Sequence, residues 1–221
     1  MSAGTAPEPP RAPELPELLA DADAAALTAP GPRRLAEAML RGAELQGARL
    51  HGLHVTESRL EDVDLSDALL GSAELRDVVV RGGSWANARA EGLKATRVEL
   101  HGVRLTGVEL GGSVLKDATL VDCRLDLASL RFARLERVVF RDCRLEEGDL
   151  AEATLVSVTF ERTALAGADV RSASFDRCEL RGCDLDGLRG AASLRGVRMP
   201  LADALVALPT LAAALGIELL D

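Results

Sequence analysis

Apolar side chains recur at every fifth position of this chain, from Leu45 to Leu185. Residues 43–187 divide into 29 units of five residues, and every unit has an apolar central residue: 20 Leu, three Phe, three Val, two Ala and one Trp. The residue two positions before the centre is small in 27 of the 29 units. Each unit therefore offers two inward side chains, one small and one large, and three outward ones.

A period of five is neither the two-residue alternation of an ordinary strand nor the 3.6-residue period of an amphipathic helix. It suits a chain that turns a corner after every unit and closes a square coil after four units. Stacked coils then pair their backbone groups at the inter-strand spacing of roughly 4.8 Å. The pattern predicts an all-β solenoid in which residues 20 apart lie above one another, so that Phe140 stacks on Phe160 and Cys123 on Cys143.

A small residue, a variable residue and a leucine open most of the units, as in Ala118-Thr119-Leu120-Val121-Asp122. This pattern resembles the pentapeptide repeat family, whose consensus is Ala-(Asp/Asn)-Leu-X-X. The resemblance covers 145 of the 221 residues. It implies a right-handed quadrilateral β-helix of about seven coils, with short helical caps at its ends.

The N-terminal part of the chain lies outside the clearest repeats. Residues 1–16 contain five prolines and predict a disordered or extended arm. Residues 17–37 predict a helical cap that covers the open first coil. The repeat register already fits from Ala38, so the β-helix is predicted over residues 38–187.

Residues 188–221 are predicted to form a C-terminal cap. The register breaks at Gly190, and an apolar, helix-prone stretch follows from Leu201 to Leu215. Residues 217–220 predict a short terminal strand. Because this segment is too apolar to be surrounded by water on every side, we expect it to cover the last coil and to join two chains in a homodimer.

Composition and charge restrict the classes of function. The net charge of −9 argues against direct nucleic-acid binding, because phosphate contacts need clustered Lys and Arg. Four Phe and one Trp are the only aromatic residues, too few for a platform that stacks bases. The sequence contains neither a membrane-spanning stretch nor a secretion signal, and its inward cysteines suit a reducing compartment. We therefore expect a cytoplasmic protein that binds no membrane.

The sequence contains no arrangement of residues that suggests catalysis. His51, His54 and His101 all take outward positions and lack the spacing of metal ligands on one rigid element. The four cysteines occupy small inward positions and form no C-x-x-C pair. We therefore predict no enzyme, no cofactor and no metal.

The outward charges are distributed unevenly over the four sides. The acidic side consists of the outward residues around Leu45 and every twentieth residue up to Leu185, and it carries eight acids and three arginines. The candidate interaction residues on this side are Asp64, Asp67, Glu146, Glu147, Asp184 and Asp186. The apolar Leu127 and Phe132 occupy successive corners and form a second candidate contact site.

The pattern leaves two functional interpretations. Within the family, the unbroken rod, the acidic balance and the tail over residues 202–219 resemble the quinolone-resistance and mycobacterial gyrase-protecting types. That resemblance implies a DNA-mimicking dimer that binds DNA gyrase, although this chain has many arginines on its rod and lacks the loop insertions of the quinolone-resistance type. The other interpretation is a non-enzymatic scaffold that binds an unknown protein partner.

Overall fold

The computed structural model describes residues 5–220 and shows a β-solenoid. Its strands pair in parallel, and from residue 34 onward each strand residue pairs with the one 20 positions further on, as His54 with Glu74 and Glu74 with Lys94. The strands are β1 Ala20–Asp21, β2 Arg34–Ala36, β3 Ala38–Arg41, β4 His54–Glu61, β5 Glu74–Arg81, β6 Lys94–His101, β7 Val114–Val121, β8 Arg134–Arg141, β9 Thr154–Glu161, β10 Ser174–Asp176 and β11 Glu179–Arg181. The predicted coil of four units is confirmed.

Each coil has four sides. The eight-residue strands span two sides, and the other two sides pair through single bridges such as Glu44 with Asp64 and Arg49 with Leu69. The solenoid has about eight coils, one more than expected, because residues 34–42 already pair with the coil above them.

The inward positions form one continuous core. Central residues such as Leu50 and Leu135 are fully buried. The rings of Phe140 and Phe160 stack 4.9 Å apart with an interplanar angle of 4°, as the 20-residue spacing predicts. Cys123, Cys143 and Cys178 are buried, whereas Cys183, on the last coil, is only half-buried.

Corners occur at every fifth residue, which adopts a left-handed conformation with positive φ. Gly, Asp and Asn tolerate this conformation best, and they occupy many of the corners. One further glycine is required for space: Gly83 has a φ of +78°, and a Cβ there would lie 2.3 Å from the carbonyl oxygen of Val63. Leu127 and Phe132 hold the same left-handed conformation with large apolar side chains.

The N-terminal segment differs from its prediction. In place of a helical cap over residues 17–37, the chain forms β1, which pairs with β3, and a single helical turn, α1 (Ala25–Thr28). Leu27 is buried against the first coil and supplies the cover expected of the cap.

The arm is extended and lies against the rod. Residues 5–16 form neither helix nor strand, but the backbone amides of Arg11 and Glu14 donate hydrogen bonds to carboxylates of the rod. The described part of the arm is thus extended, which is one of the two predicted alternatives. Residues 1–4 of that prediction lie outside the described residues.

The C-terminal cap consists of a 3₁₀ turn (Ala191–Leu194), α2 (Leu201–Val206) and α3 (Leu208–Ala214). Pro209 lies in the first turn of α3, and Gly216, with a φ of +69°, follows its end. The expected strand over residues 217–220 is absent, and these residues form an irregular end. Asp221 lies outside the described residues.

Candidate interaction surfaces

The first acids of the acidic side lie near the N-terminal end. Asp64 is half-buried and accepts a hydrogen bond of 2.8 Å from the backbone amide of Ser66. Hydrogen bonds from Ser66 hold the pKa of Asp64 below its ordinary value. Asp67 follows at the corner and is exposed. Here the side presents negative charge to solvent.

Three arginines interrupt the acidic side in the middle of the rod. Arg104 pairs with Arg124, and Arg124 with Arg144, in adjacent coils of one column. All three side chains lie on the outside. Like charges at the spacing of neighbouring strands give this part of the side a positive stripe. The acidic side therefore has negative regions near its two ends and a region of mixed charge between them.

Glu146 and Glu147 lie within this region of mixed charge, in the same unit as Arg144. Glu146 is half-buried and accepts a 3.1 Å hydrogen bond from the guanidinium of Arg144, which also approaches Asp126 at 3.6 Å. Glu147 is exposed at the corner. Part of the predicted negative charge is thus neutralised by the neighbouring arginine.

Asp184 and Asp186 belong to the last coil. Both are exposed, and the amide of Asp186 donates a 3.0 Å hydrogen bond to the Asp184 carboxylate. They border a small cleft of about 110 Å³ between the last coil and the cap, which Val206 and Thr210 also line. The structure therefore places these two acids beside the C-terminal cap and far along the rod from Asp64.

Leu127 and Phe132 lie at the two ends of one side of a single coil. Their exposed fractions are 60% and 57%. The guanidinium of Arg131 lies 5.0 Å from the centre of the Phe132 ring and pairs with Glu152 at 2.5 Å. The aromatic ring is thus partly shielded by a cation, while Leu127 has no such cover.

Most of the large exposed apolar side chains within residues 5–220 lie on the C-terminal cap. Leu205 and Val206 of α2 are 62% and 80% exposed, and Leu220 is 87% exposed. We call the exposed side chains of this cap the apolar end: Leu201, Leu205, Val206, Leu208, Leu215, Ile217, Leu219 and Leu220. The sequence identified the segment, but it did not separate these residues from Ala207, which packs against the core, or from Ala212, which is also buried.

An apolar cleft of about 410 Å³ lies beside the apolar end, between the last coil and α3. Its walls include Leu188, Ala191, Pro209 and Ala214. Two side-chain contacts hold the cap in place: Asp203 accepts a hydrogen bond from the amide of Gly182 at 2.6 Å, and Thr210 donates one to Leu185 at 3.2 Å. The apolar surface is therefore presented on a fixed support.

Within residues 5–220, no group of three or more His, Cys, Asp or Glu side chains is placed to hold a metal ion. Burial raises the pKa of the Cys178 and Cys183 thiols, which lowers their reactivity. The helices of the described part are short, and none is long and apolar enough to cross a membrane.

Two family models match the repeat. One, a pentapeptide repeat region, matches residues 93–170, and the other, eight copies of pentapeptide repeats, matches residues 34–67; together they cover about half of the chain. The chain belongs to the pentapeptide repeat family. Its predicted family membership is thus confirmed.

Solved structures of pentapeptide repeat proteins are similar to this member of the family. A trypsin-treated form of QnrB1, a plasmid-mediated fluoroquinolone resistance protein, has 19% identity and a TM-score of 0.43 over 85% of this chain and 90% of that chain. HetL, which is involved in heterocyst differentiation regulation in Nostoc sp. strain PCC 7120, has 22% identity and a TM-score of 0.38, covering 80% and 94%. A protein of the Arabidopsis thaliana thylakoid lumen has 18% identity and a TM-score of 0.24, covering 56% and 70%. No curated protein sequence matches the chain. These values carry no argument about its partner.

Proposed function

We propose that this pentapeptide repeat protein is a non-enzymatic scaffold of the cytoplasm that acts by binding other proteins. The observation that carries the proposal is the apolar end, a group of large exposed side chains on a rigid rod whose other apolar residues are mostly buried. Contiguous exposed apolar surfaces of this kind mark protein contacts. The thiols, which are free within residues 5–220, fit a reducing compartment.

The first partner that we propose is a second copy of the chain, joined through residues 188–221. Two apolar ends related by a two-fold axis would cover each other, and the two rods would extend in opposite directions. The acids Asp184 and Asp186 would then lie at the rim of the interface, where they remain hydrated.

Sedimentation at micromolar concentration tests this dimer. We expect the wild type to sediment as a dimer and the double variant Leu205→Glu, Val206→Glu to sediment as a monomer, because buried charge is unfavourable at an apolar interface. Leu127→Glu is the matched control, since Leu127 is similarly exposed but lies on the middle of the rod. A wild type that sediments as a monomer contradicts the dimer.

Binding of other proteins is tested with the same variants. A tagged wild-type chain should retain a defined set of proteins from its native cytoplasm, and the Leu205→Glu, Val206→Glu variant should lose them. The Leu127→Glu variant should retain them. Equal recovery by both variants would mean that the apolar end is not the contact surface.

A second candidate is mimicry of DNA directed at DNA gyrase. It is favoured by the net charge of −9 and by the acids at both ends of the acidic side, which an end-to-end dimer would bring into one long array. The column of Arg104, Arg124 and Arg144 argues against it, because duplex DNA presents an unbroken negative charge along its axis. Part of the charge of Glu146 is also neutralised by Arg144.

Gyrase supercoiling measured at increasing salt decides between the two candidates. If the acidic side imitates DNA, the protein inhibits or protects gyrase at low salt, and reversal of Asp64, Asp67, Glu146 and Glu147 to Lys abolishes the effect while the melting temperature stays almost unchanged. We expect no effect on gyrase at any salt concentration, since the arginine column interrupts the charge. Inhibition that the reversal removes would contradict the scaffold proposal in favour of mimicry.

A further inference from the structure

One corner of the rod carries a column of polar residues that the proposed function does not use. These residues occupy the left-handed position in the middle of successive long strands and directly after β10. We call the column the corner ladder: Glu57, Asp77, Arg97, Asp117, Arg137, Ser157 and Arg177.

The acids and bases of the corner ladder pair between adjacent coils. Arg97 binds Asp77 through two hydrogen bonds of 2.5 Å, and Arg137 binds Asp117 at 2.7 and 3.0 Å. The side chains of both aspartates are only 3% exposed, although they lie at a corner of the rod. The paired arginines cover part of each carboxylate, and a second segment of the chain lies over the rest.

The cover is the N-terminal arm. The backbone amide of Glu14 donates a 3.1 Å hydrogen bond to Asp77, and the amide of Arg11 donates a 3.1 Å hydrogen bond to Asp117. The two donors are three residues apart, and the two acceptors are two coils apart. Three residues of a polyproline II helix rise about 9.3 Å, and two coils rise about 9.6 Å. The rise of the arm over three residues therefore matches the rise of the rod over two coils.

The sequence of the arm has the same three-residue period. Every third residue from 7 to 16 is a proline, and each of these four prolines is half-buried. The donor residues Arg11 and Glu14 each follow one of them and are exposed. Proline favours the extended conformation but has no backbone N–H group. This spacing therefore keeps the arm extended and leaves the N–H groups of Arg11 and Glu14 free to donate.

One further step of three residues along the arm, from Arg11 to Glu8, corresponds to two further coils along the rod, from Asp117 to Ser157. The hydroxyl of Ser157 is buried and has no hydrogen-bond partner within the described residues. Glu8, three residues before Arg11, reaches Arg137 at 4.0 Å and Arg177 at 3.4 Å, in the coils on either side of Ser157. Glu8 thus lies over the coil whose polar group lacks a partner.

We propose that the corner ladder is a binding groove for extended, proline-rich segments that offer a free backbone amide at every third residue, and that residues 5–16 are its resident ligand. The arm acts as a strap along the rod. Its release uncovers the groove for a proline-rich segment of another chain with the same spacing.

Hydrogen exchange of the full-length chain tests the resident ligand. The amides of Arg11 and Glu14 should exchange at least tenfold more slowly than that of Ala12, which makes no hydrogen bond to the rod within the described residues. The double variant Arg11→Pro, Glu14→Pro removes both donors while keeping the arm extended, so the amides that remain in the arm should exchange freely. The control Ala12→Pro adds a proline to the arm and should leave Arg11 and Glu14 protected.

A fluorescent peptide of residues 5–16 tests the groove in the same full-length chains. It should bind the double variant with one peptide per chain, and it should not bind the wild type, Ala12→Pro or Arg11→Ala, whose own arms retain every donor amide and occupy the groove. The substituted residues lie outside the rod, and an unchanged circular dichroism spectrum confirms that the rod is folded. Equal exchange of the three amides, failure of the peptide to bind the double variant, or equal binding to the wild type would overturn the proposal.

Discussion

The middle coils and the C-terminal end differ in how completely their apolar side chains are covered. In the middle, each coil lies between two others, and central residues such as Leu130 and Leu145 are fully buried. At the C-terminal end, α2 and α3 cover one face of the last coil, but their own outer face exposes Leu205, Val206 and Leu208. A repeat covers itself only where it has neighbours on both sides.

This difference indicates which part of the molecule is available for binding. The middle coils use their apolar residues for stability and leave a surface of charges that pair between coils, as Arg141 does with Glu161. Exposed ion pairs of this kind contribute little affinity or stability. The end has apolar area that is still uncovered, and burial of this area is the strongest driving force for association that the surface offers.

The largest effect is expected for a charge placed between the middle coils. Leu120→Asp should lower the free energy of unfolding by about 4 kcal/mol, because Leu120 is only 3% exposed and its environment cannot hydrate a carboxylate. Thr119→Asp, one residue earlier and directed outward, should change it by less than about 0.5 kcal/mol. Urea unfolding measures both, and equal losses would show that the inward and outward positions are misassigned.

A smaller loss is expected where two coils approach most closely. Gly83→Ala should cost about 3 kcal/mol, because its Cβ would collide with the carbonyl oxygen of Val63 and the left-handed backbone would be strained. Gly112→Ala should cost about 1 kcal/mol, since this corner has the same conformation but open space around it. Similar losses in urea unfolding would mean that conformation alone determines the need for glycine.

The core could be predicted from the sequence because one physical requirement recurs in every coil. A fixed core volume demands a small and a large inward residue per unit. The five-residue period therefore identifies Leu120, Phe140 and Phe160 as inward residues. The 20-residue spacing also places Arg104, Arg124 and Arg144 in one column of the acidic side. The total charge of that side does not show this column, because the acids outnumber the arginines.

The ends could not be predicted in the same way because no repeat constrains them. The composition of the arm is compatible with disorder and with an extended conformation, and its place on the corner ladder depends on a match between its own three-residue period and the rise of two coils. The prediction of a terminal strand over residues 217–220 is wrong: a strand needs a neighbouring strand to pair with, and these residues pair with none in the described part of the chain. The exposed face of α2 follows from how the cap lies on the last coil.

The rates at which the native cysteines react show whether the middle coils are less accessible than the C-terminal end. Cys143 is 2% exposed between middle coils, whereas Cys183 is half-buried on the last coil. A soluble thiol reagent should therefore modify Cys183 at least tenfold faster than Cys143, which should react only after unfolding. Mass spectrometry of partly modified protein identifies the site. Modification of Cys143 at the rate of Cys183 would show that the middle coils open as readily as the end.

The smallest effect on stability is expected when the pH is lowered. Burial opposes ionisation of Asp77 and Asp117, but hydrogen bonds from Arg97 and Arg137 and from the arm outweigh it, and the pKa of each carboxyl lies below its ordinary value. A carboxyl with a lowered pKa in the folded state stabilises the fold above its unfolded pKa of about 3.9, and this contribution is lost as the pH falls further. Stability should therefore fall between about pH 4 and pH 2.

Urea unfolding over this pH range separates the corner ladder from the end of the rod. The double variant Asp77→Asn, Asp117→Asn is less stable than the wild type at pH 7 and should show a shallower fall below about pH 4, because the groups that lose their charge are already neutral. Asp184→Asn, Asp186→Asn is the matched control, since these two carboxylates are exposed on the last coil and should leave the fall unchanged. The control could reduce the loss of stability below about pH 4 as much as the corner variant does. In that case the ion pairs of the middle coils and the exposed acids of the end contribute equally to the acid dependence, and the two regions do not differ in how their charges affect stability.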